Sequence, residues 1–222
     1  MSISENLRKI NKTLKKDVTL IAVSKTKPNS AILEAYQAGQ RIFGENKALE
    51  LRDKHAELPQ DIEWHMIGRM QTNKVKYIAP FVHLIHSIDS ERLLAEVNKR
   101  AKSNNRVIDV LIQVHIARED SKTGFLFAEA YEIMEKNVFA EYKNINIRGF
   151  MGMGSNTSIK MVVEEEFGKL KNLFEACKKF KPDFDILSMG MSGDYELAME
   201  NGSNMVRVGS AIFGERDYSN QK

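Results

Sequence analysis

A lysine that closes an apolar strand is the first residue in this chain with the means for covalent chemistry. Lys25 ends the run Ala22-Val23-Ser24-Lys25 and precedes Thr26-Lys27-Pro28. At the rim of a folded core its ammonium is partly desolvated, which disfavours the charged form and pulls the pKa below the reference of about 10.4. The neutral amine is a nucleophile that forms a Schiff base with an aldehyde or ketone. The commoner role of such a lysine is to snorkel to the rim. Lys27 stands beyond the strand and beside Pro28, and is the weaker candidate.

Two turns near the C-terminus suit an anion. Ser188-Met189-Gly190-Met191-Ser192-Gly193-Asp194 follows one short apolar run, and Gly209-Ser210-Ala211-Ile212-Phe213-Gly214 follows the next. Glycines let backbone N–H groups approach a phosphate, a following helix N-terminus favours negative charge, and hydroxyls at Ser188 and Ser210 add donors. Ordinary strand-to-helix turns carry the same residue types. Arg207 strengthens the case. It shares a strand face with Met205 and Gly209, while Val206 and Val208 face the other way. A cation aimed inward must be paired, by a core glutamate for instance, or must meet a ligand.

Other polar positions read more weakly. Asn46, after Phe43-Gly44-Glu45, stands near a helix N-terminus, where capping is the commoner role and facing a ligand the alternative. His65 and His115 are each isolated in strands, where histidines are mostly core hydrogen-bonders. His83 and His86 are three apart in a strand and point to opposite faces, so no metal site is expected. Gly152-Met153-Gly154-Ser155-Asn156-Thr157 imitates a dinucleotide fingerprint, but Thr157 replaces the third glycine and the motif follows the sixth strand rather than the first.

The elements that must position these residues repeat one unit: a short β-branched run, a turn, an amphipathic stretch. Strands are expected at 19–24, 41–43, 63–67, 83–88, 108–114, 146–151, 185–189 and 205–208. Helices are expected over about 4–14, from Asp89 or Ser90 to a polar stop at 102–105, over about 124–137, after Ser158, and from near Asp194 to Gly202. In the helix after Ser158, Val163, Phe167, Leu170, Phe174 and Cys177 share one face, which makes Cys177 a core residue. Eight strands alternating with helices predict a single (β/α)8 TIM barrel with an extra N-terminal helix, and an open doubly wound sheet is the alternative. With only 4 prolines and no flexible linker in 222 residues, the whole of 1–222 is expected to be one domain.

Composition narrows the classes further. Hydrophobic residues at 42% and charged residues at 28% exclude a disordered or fibrous chain. A net charge of +3, from 33 basic and 30 acidic side chains, gives no electrostatic reason to expect nucleic acid or an acidic membrane. Met1–Asn6 lacks the apolar core of a secretory signal, no run approaches the ~20 apolar residues of a membrane span, and one cysteine makes no internal disulfide. The expected location is the cytoplasm.

Six motifs then occur in a telling order. Ala22-Val23-Ser24-Lys25-Thr26-Lys27-Pro28, Phe43-Gly44-Glu45-Asn46, Trp64-His65-Met66-Ile67-Gly68 and Gln71-Thr72-Asn73-Lys74 precede Leu187-Ser188-Met189-Gly190-Met191-Ser192 and Met205-Val206-Arg207-Val208-Gly209-Ser210-Ala211-Ile212-Phe213-Gly214. Together, over nearly the whole chain, they resemble the pyridoxal phosphate homeostasis protein family. The resemblance implies a barrel like the N-terminal domain of alanine racemase, binding pyridoxal 5′-phosphate (PLP). It implies that Lys25 holds the aldehyde as an internal aldimine, that Ser188, Gly209 and Ser210 bind the phosphate, that Arg207 faces the pyridine nitrogen, and that Asn46 lines the site. His115 stands where an asparagine is commoner, which bears on contacts at the open face of the cofactor, and Arg69 occupies a variable position. The residues themselves agree with this reading, because strand eight of a closed barrel pairs with strand one and brings the lysine beside the phosphate turns.

Three functions remain distinct at this level. The first is a non-catalytic monomer that buffers PLP and delivers it to apo-enzymes. The second is a PLP-dependent amino-acid racemase with Lys25 as base, and the third a cofactor-free Schiff-base aldolase acting on a sugar phosphate. Arg207 weakens the second, since a guanidinium does not readily protonate a ring nitrogen opposite it. Racemases of related fold also add a second domain and a partner tyrosine. Here the barrel is expected to leave only Arg216–Lys222 as tail, so the carrier is favoured.

Overall fold

The run Thr19-Leu20-Ile21-Ala22-Val23 has no polar alternation because both of its faces are covered. In the computed structural model, which describes residues 2–118 and 123–215, it forms the first of eight parallel strands. These are β1 (Thr19–Val23), β2 (Ile42–Glu45), β3 (Glu63–Met66), β4 (Leu84–Ile88), β5 (Ile108–Gln113), β6 (Ile145–Met151), β7 (Ile186–Ser188) and β8 (Met205–Val208). They follow one another around a closed barrel, and β8 pairs back onto β1 with Ile21 opposite Arg207. The expected TIM barrel is therefore the fold, and the open sheet is not. The tail expected at 216–222 lies outside the described residues.

The helices are α1 (Ile3–Thr13), α2 (Asn29–Gln37), α3 (Ala48–Glu57), α4 (Glu91–Ser103), α5 (Phe127–Glu135), α6 (Lys160–Cys177), α7 (Tyr195–Glu200) and α8 (Ser210–Phe213). The extra N-terminal helix is α1, closed by a reciprocal capping box between Ser2 and Glu5. Its Leu7 and Ile10 are buried, and the Asn6 side chain donates to the carbonyl of Ile212 at 2.9 Å. Ser90, not Asp89, caps α4. Between β3 and β4 the crossover carries a 3₁₀ helix at Thr72–Tyr77.

One boundary differs for a physical reason. The helix expected from Gly124 begins only at Phe127, because the preceding residues are drawn to the end of β5. Phe125 N–H donates to Gln113 O at 2.8 Å, and Gly124 has φ +113°, with its missing Cβ sited 2.7 Å from that same carbonyl. At the other end, Asn137 has φ +47° and closes the segment early.

Two apolar layers result. A large core lies between the sheet and the helices, and a small one (Ile21, Leu84, Leu111, Met151, Met205) fills the barrel. Cys177 belongs to the outer layer as expected, fully buried, with its thiol pushed up to about 11 by that burial. Among the described residues no helix is long and apolar enough to cross a membrane.

Candidate functional site

Lys25 leaves the C-terminal end of β1 half-buried, and both of its neighbours are anchored. On one side, Ser24 Oγ donates to Glu45 Oε1 at 2.5 Å, and Ser24 O accepts from Lys54 Nζ at 2.9 Å. On the other, Thr26 N–H donates to Glu50 Oε1 at 2.6 Å. Lys54 joins the two sides by donating to Glu45 at 2.8 Å and to Glu50 at 2.7 Å. Thr26 has φ +62°, a left-handed conformation that a β-branched residue rarely adopts and that costs of order 1–3 kcal/mol. The Glu50 contact pins that strained peptide and with it the exit direction of the Lys25 side chain. Lys54 sits on α3 four residues after Glu50, a spacing that reads in sequence as an exposed helical pair. Only the packing of α3 on β2 shows it to be buried.

Glu45 is fully buried, and its Oε2 has no hydrogen-bond partner among the described residues. Burial raises its carboxyl from the ordinary 4.5 to about 7, against the lowering effects of Lys54 and Ser24. A carboxyl raised in this way contributes stability that is fully present below about pH 4.5 and is lost as pH rises through about 7. Wild-type protein should therefore lose on the order of 3 kcal/mol relative to Glu45→Gln as pH rises across that window. Chemical denaturation of both proteins across that pH range checks this. A stability difference that does not change with pH would show that Glu45 titrates normally.

The amine opens onto a cavity of about 450 Å³ at the C-terminal mouth of the barrel. Lys25, Asn46, Arg207, Gly209 and Ser210 all line it, so five of the six candidate residues meet in one place. Asn46 is not a cap. Lys47 occupies the capping position of α3, no side chain caps the helix, and Asn46 lines the cavity. Gly68 makes this possible, since a Cβ there would lie 2.5 Å from the Asn46 carbonyl oxygen. Lys27 also reaches the cavity wall, but its ammonium is spent on the carbonyls of Phe213, Gly214 and Glu215 at 3.0, 3.1 and 3.1 Å.

Ser188 is the exception. It is fully buried beneath the cavity, and its hydroxyl is engaged by Arg207 Nη1 and by His86 Nδ1 at 3.1 Å. A strand ending at Ser188 points that residue into the barrel, one layer below the mouth. The serine at the mouth is Ser192, whose Oγ accepts from the backbone N–H groups of Gly209 at 3.0 Å and Ala211 at 3.5 Å. Two backbone donors at the start of α8 thus converge on one oxygen. The sequence signal was present in Gly190-Met191-Ser192-Gly193, but register alone did not separate the two serines.

Arg207 is buried, and among the described residues its guanidinium bonds neutral partners, Ser188 Oγ and the Gly152 carbonyl at 2.9 Å. Among the described residues no core glutamate bonds to it. Burial pulls its pKa down to about 10, opposed by the charge of Asp194, so it remains a cation at neutral pH. Below it, His86 Nε2 lies 3.0 Å from His65 Nδ1, and burial holds both imidazoles far below the usual histidine range. The expectation that His65 is a core hydrogen-bonder holds. His115 is half-buried and does not line the cavity; Gln113 and Thr123 do so instead, with Gln113 Nε2 donating to Thr123 Oγ1 at 3.1 Å.

The comparisons with known proteins fall on this geometry. Residues 1–217 match the family described as the alanine racemase N-terminal domain. A pyridoxal phosphate homeostasis protein of Vibrio alginolyticus is 42% identical over 98% of this chain and 99% of its own length. This chain belongs to the pyridoxal phosphate homeostasis protein family. The Escherichia coli K12 member is 41% identical over 91% of this chain and 88% of its own. PipY of Synechococcus elongatus PCC7942, solved with PLP bound, is 32% identical with a TM-score of 0.87 over 96% of this chain and 100% of that one. Alanine racemase from Bartonella henselae, at 16% identity and a TM-score of 0.75 over 58% of its length, shares the barrel fold.

Proposed function

We propose that this chain is a cytoplasmic, monomeric carrier of pyridoxal 5′-phosphate, with 1–222 as one domain, that buffers the cofactor and delivers it to PLP-dependent apo-enzymes. The observation that carries the reading is one cavity lined both by Lys25, whose flanking peptide is anchored through Thr26 N–H to Glu50, and by the buried Arg207, whose guanidinium bonds no carboxylate among the described residues. The donor set fits the group. Lys25 would hold its aldehyde, the convergent N–H groups beside Ser192, Gly209 and Ser210 would hold its phosphate, and Arg207 would face its ring nitrogen. When bound, PLP supplies an electrophilic carbonyl and an electron-withdrawing ring.

The chain's own groups favour holding over turnover. Arg207, a cation at neutral pH, disfavours a proton on any ring nitrogen it faces. Among the described residues that line the cavity, the titratable groups are Lys25, Lys27, Arg69 and Arg207. Two-base proton transfer needs a second group able to give and take a proton near neutral pH, and Lys27 is committed to carbonyls. The names of the relatives support the same role.

The test is an absorption spectrum before and after borohydride, with the reduced adduct mapped by peptide mass. A near-visible band that bleaches and leaves a pyridoxyl group on Lys25 is expected. No band after incubation with PLP overturns cofactor binding and favours direct attack on a sugar phosphate. Transfer to an apo-enzyme faster than release into buffer is expected of a carrier. Turnover of amino acids, lost in Lys25→Ala, would replace the carrier with a racemase.

A further inference from the structure

The N-terminal end of the barrel, opposite the cavity, holds a second cluster. Glu63 opens β3, His65 follows two residues later opposite Leu84, and His83 immediately precedes β4. One ligand atom from each lies within 4.8 Å of the others. His83 Nε2 stands 3.6 Å from Glu63 Oε2, and the rings of His65 and His83 lie parallel with centroids 5.5 Å apart. Glu63 and His65 share one face of β3, but only the pairing of β3 with β4 brings His83 to them.

His65 is the informative member. It is only 2% exposed, and its Nε2 has no hydrogen-bond partner among the described residues. Leaving a buried polar nitrogen unpaired carries a real free-energy cost, so such a group asks for a partner. Its other nitrogen is already engaged by His86. That is the arrangement of a metal-ligating histidine, whose second nitrogen donates to a neighbour that fixes the tautomer.

We propose that Glu63, His65 and His83 form a site for one divalent transition-metal ion, of which zinc is the type, with water completing the coordination. Two imidazoles and a carboxylate are an established donor set for such an ion. Tetrahedral ligands at zinc stand about 3.3 Å apart, so the donors must close by up to about 1.5 Å. Glu63 and His83 have the freedom for that movement, with side chains 46% and 54% exposed, while His65 is the fixed point.

The site also reaches the cavity. Metal on His65 Nε2 places the remaining proton on Nδ1, which donates to His86 Nε2. His86 then carries its proton on Nδ1 and donates to Ser188 Oγ, the hydroxyl that also accepts from Arg207. With the reverse order of protons, a buried N–H of His65 would be left without an acceptor. Metal binding therefore selects one proton order along the chain that ends at Arg207.

The test is a titration of chelator-stripped full-length protein with zinc chloride against a chromogenic competitor, and with cobalt chloride for its visible ligand-field bands. One equivalent of zinc and the cobalt bands are expected. Glu63→Ala and His83→Ala, both at exposed positions, should each weaken zinc at least tenfold and remove those bands. Circular dichroism checks that they fold, and His115→Ala should bind like wild type. His65→Gln should lose the metal even if its melting temperature falls. Substoichiometric binding by wild type, or unchanged binding in Glu63→Ala and His83→Ala, would overturn the site.

Discussion

Lys25→Ala should lose the reducible pyridoxyl adduct completely, and Lys25→Arg should lose it equally. The bond requires a primary amine that can shed its proton, and a guanidinium keeps its charge. Lys27 is no substitute, because its ammonium is held by three carbonyls at the end of α8 and lies beyond the strained peptide of Thr26. The backbone N–H groups of Gly209 and Ala211, proposed to hold the phosphate, survive the substitution, so PLP should still bind, reversibly and without the near-visible band. Borohydride reduction followed by peptide mapping reads the difference. A full-strength adduct on Lys27 in Lys25→Ala would mean that the cavity, not the anchored strand end, selects the amine.

Lys54→Met should be the most destabilising single change near the site, by about 3–5 kcal/mol at pH 8, because it leaves the Glu45 carboxylate buried and unpaired. The cost should shrink at lower pH, where the carboxyl takes up a proton: burial already raises it to about 7, and losing Lys54 raises it further. Combining the change with Glu45→Gln should recover much of the loss. Denaturant titrations of the single and double variants check these values. Lys54→Met also releases Ser24 O and Glu50, so Lys25 should form its adduct more slowly per folded molecule, and Lys54→Arg should restore part of that rate. A loss below about 1 kcal/mol would place Glu45 in contact with water and remove the reason for the network.

The TIM barrel was legible from the chain because its cause is local. Runs such as Leu20-Ile21-Ala22-Val23 are apolar on both faces, and the stripe from Val163 to Cys177 repeats at helical spacing, so each segment declares its own type and its buried side. Lys25 and Arg207 were legible for the same reason, as charges set in apolar strands. Which hydroxyl faces the mouth was not. Ser188 and Ser192 are four residues apart in one motif, and only the level at which β7 ends puts one beneath the cavity and the other on its wall. Asn46 was ambiguous until the fold set it against Gly68 on the cavity wall and gave the capping position to Lys47. Glu50 and Lys54 on α3, and Glu63 and His65 on β3, each share a face by spacing, but the joining of Glu45 to the first pair and of His83 to the second belongs to the tertiary structure. Period and spacing report the neighbours a residue has along its own element, whereas these groups meet across elements, at distances set by strand register and helix packing.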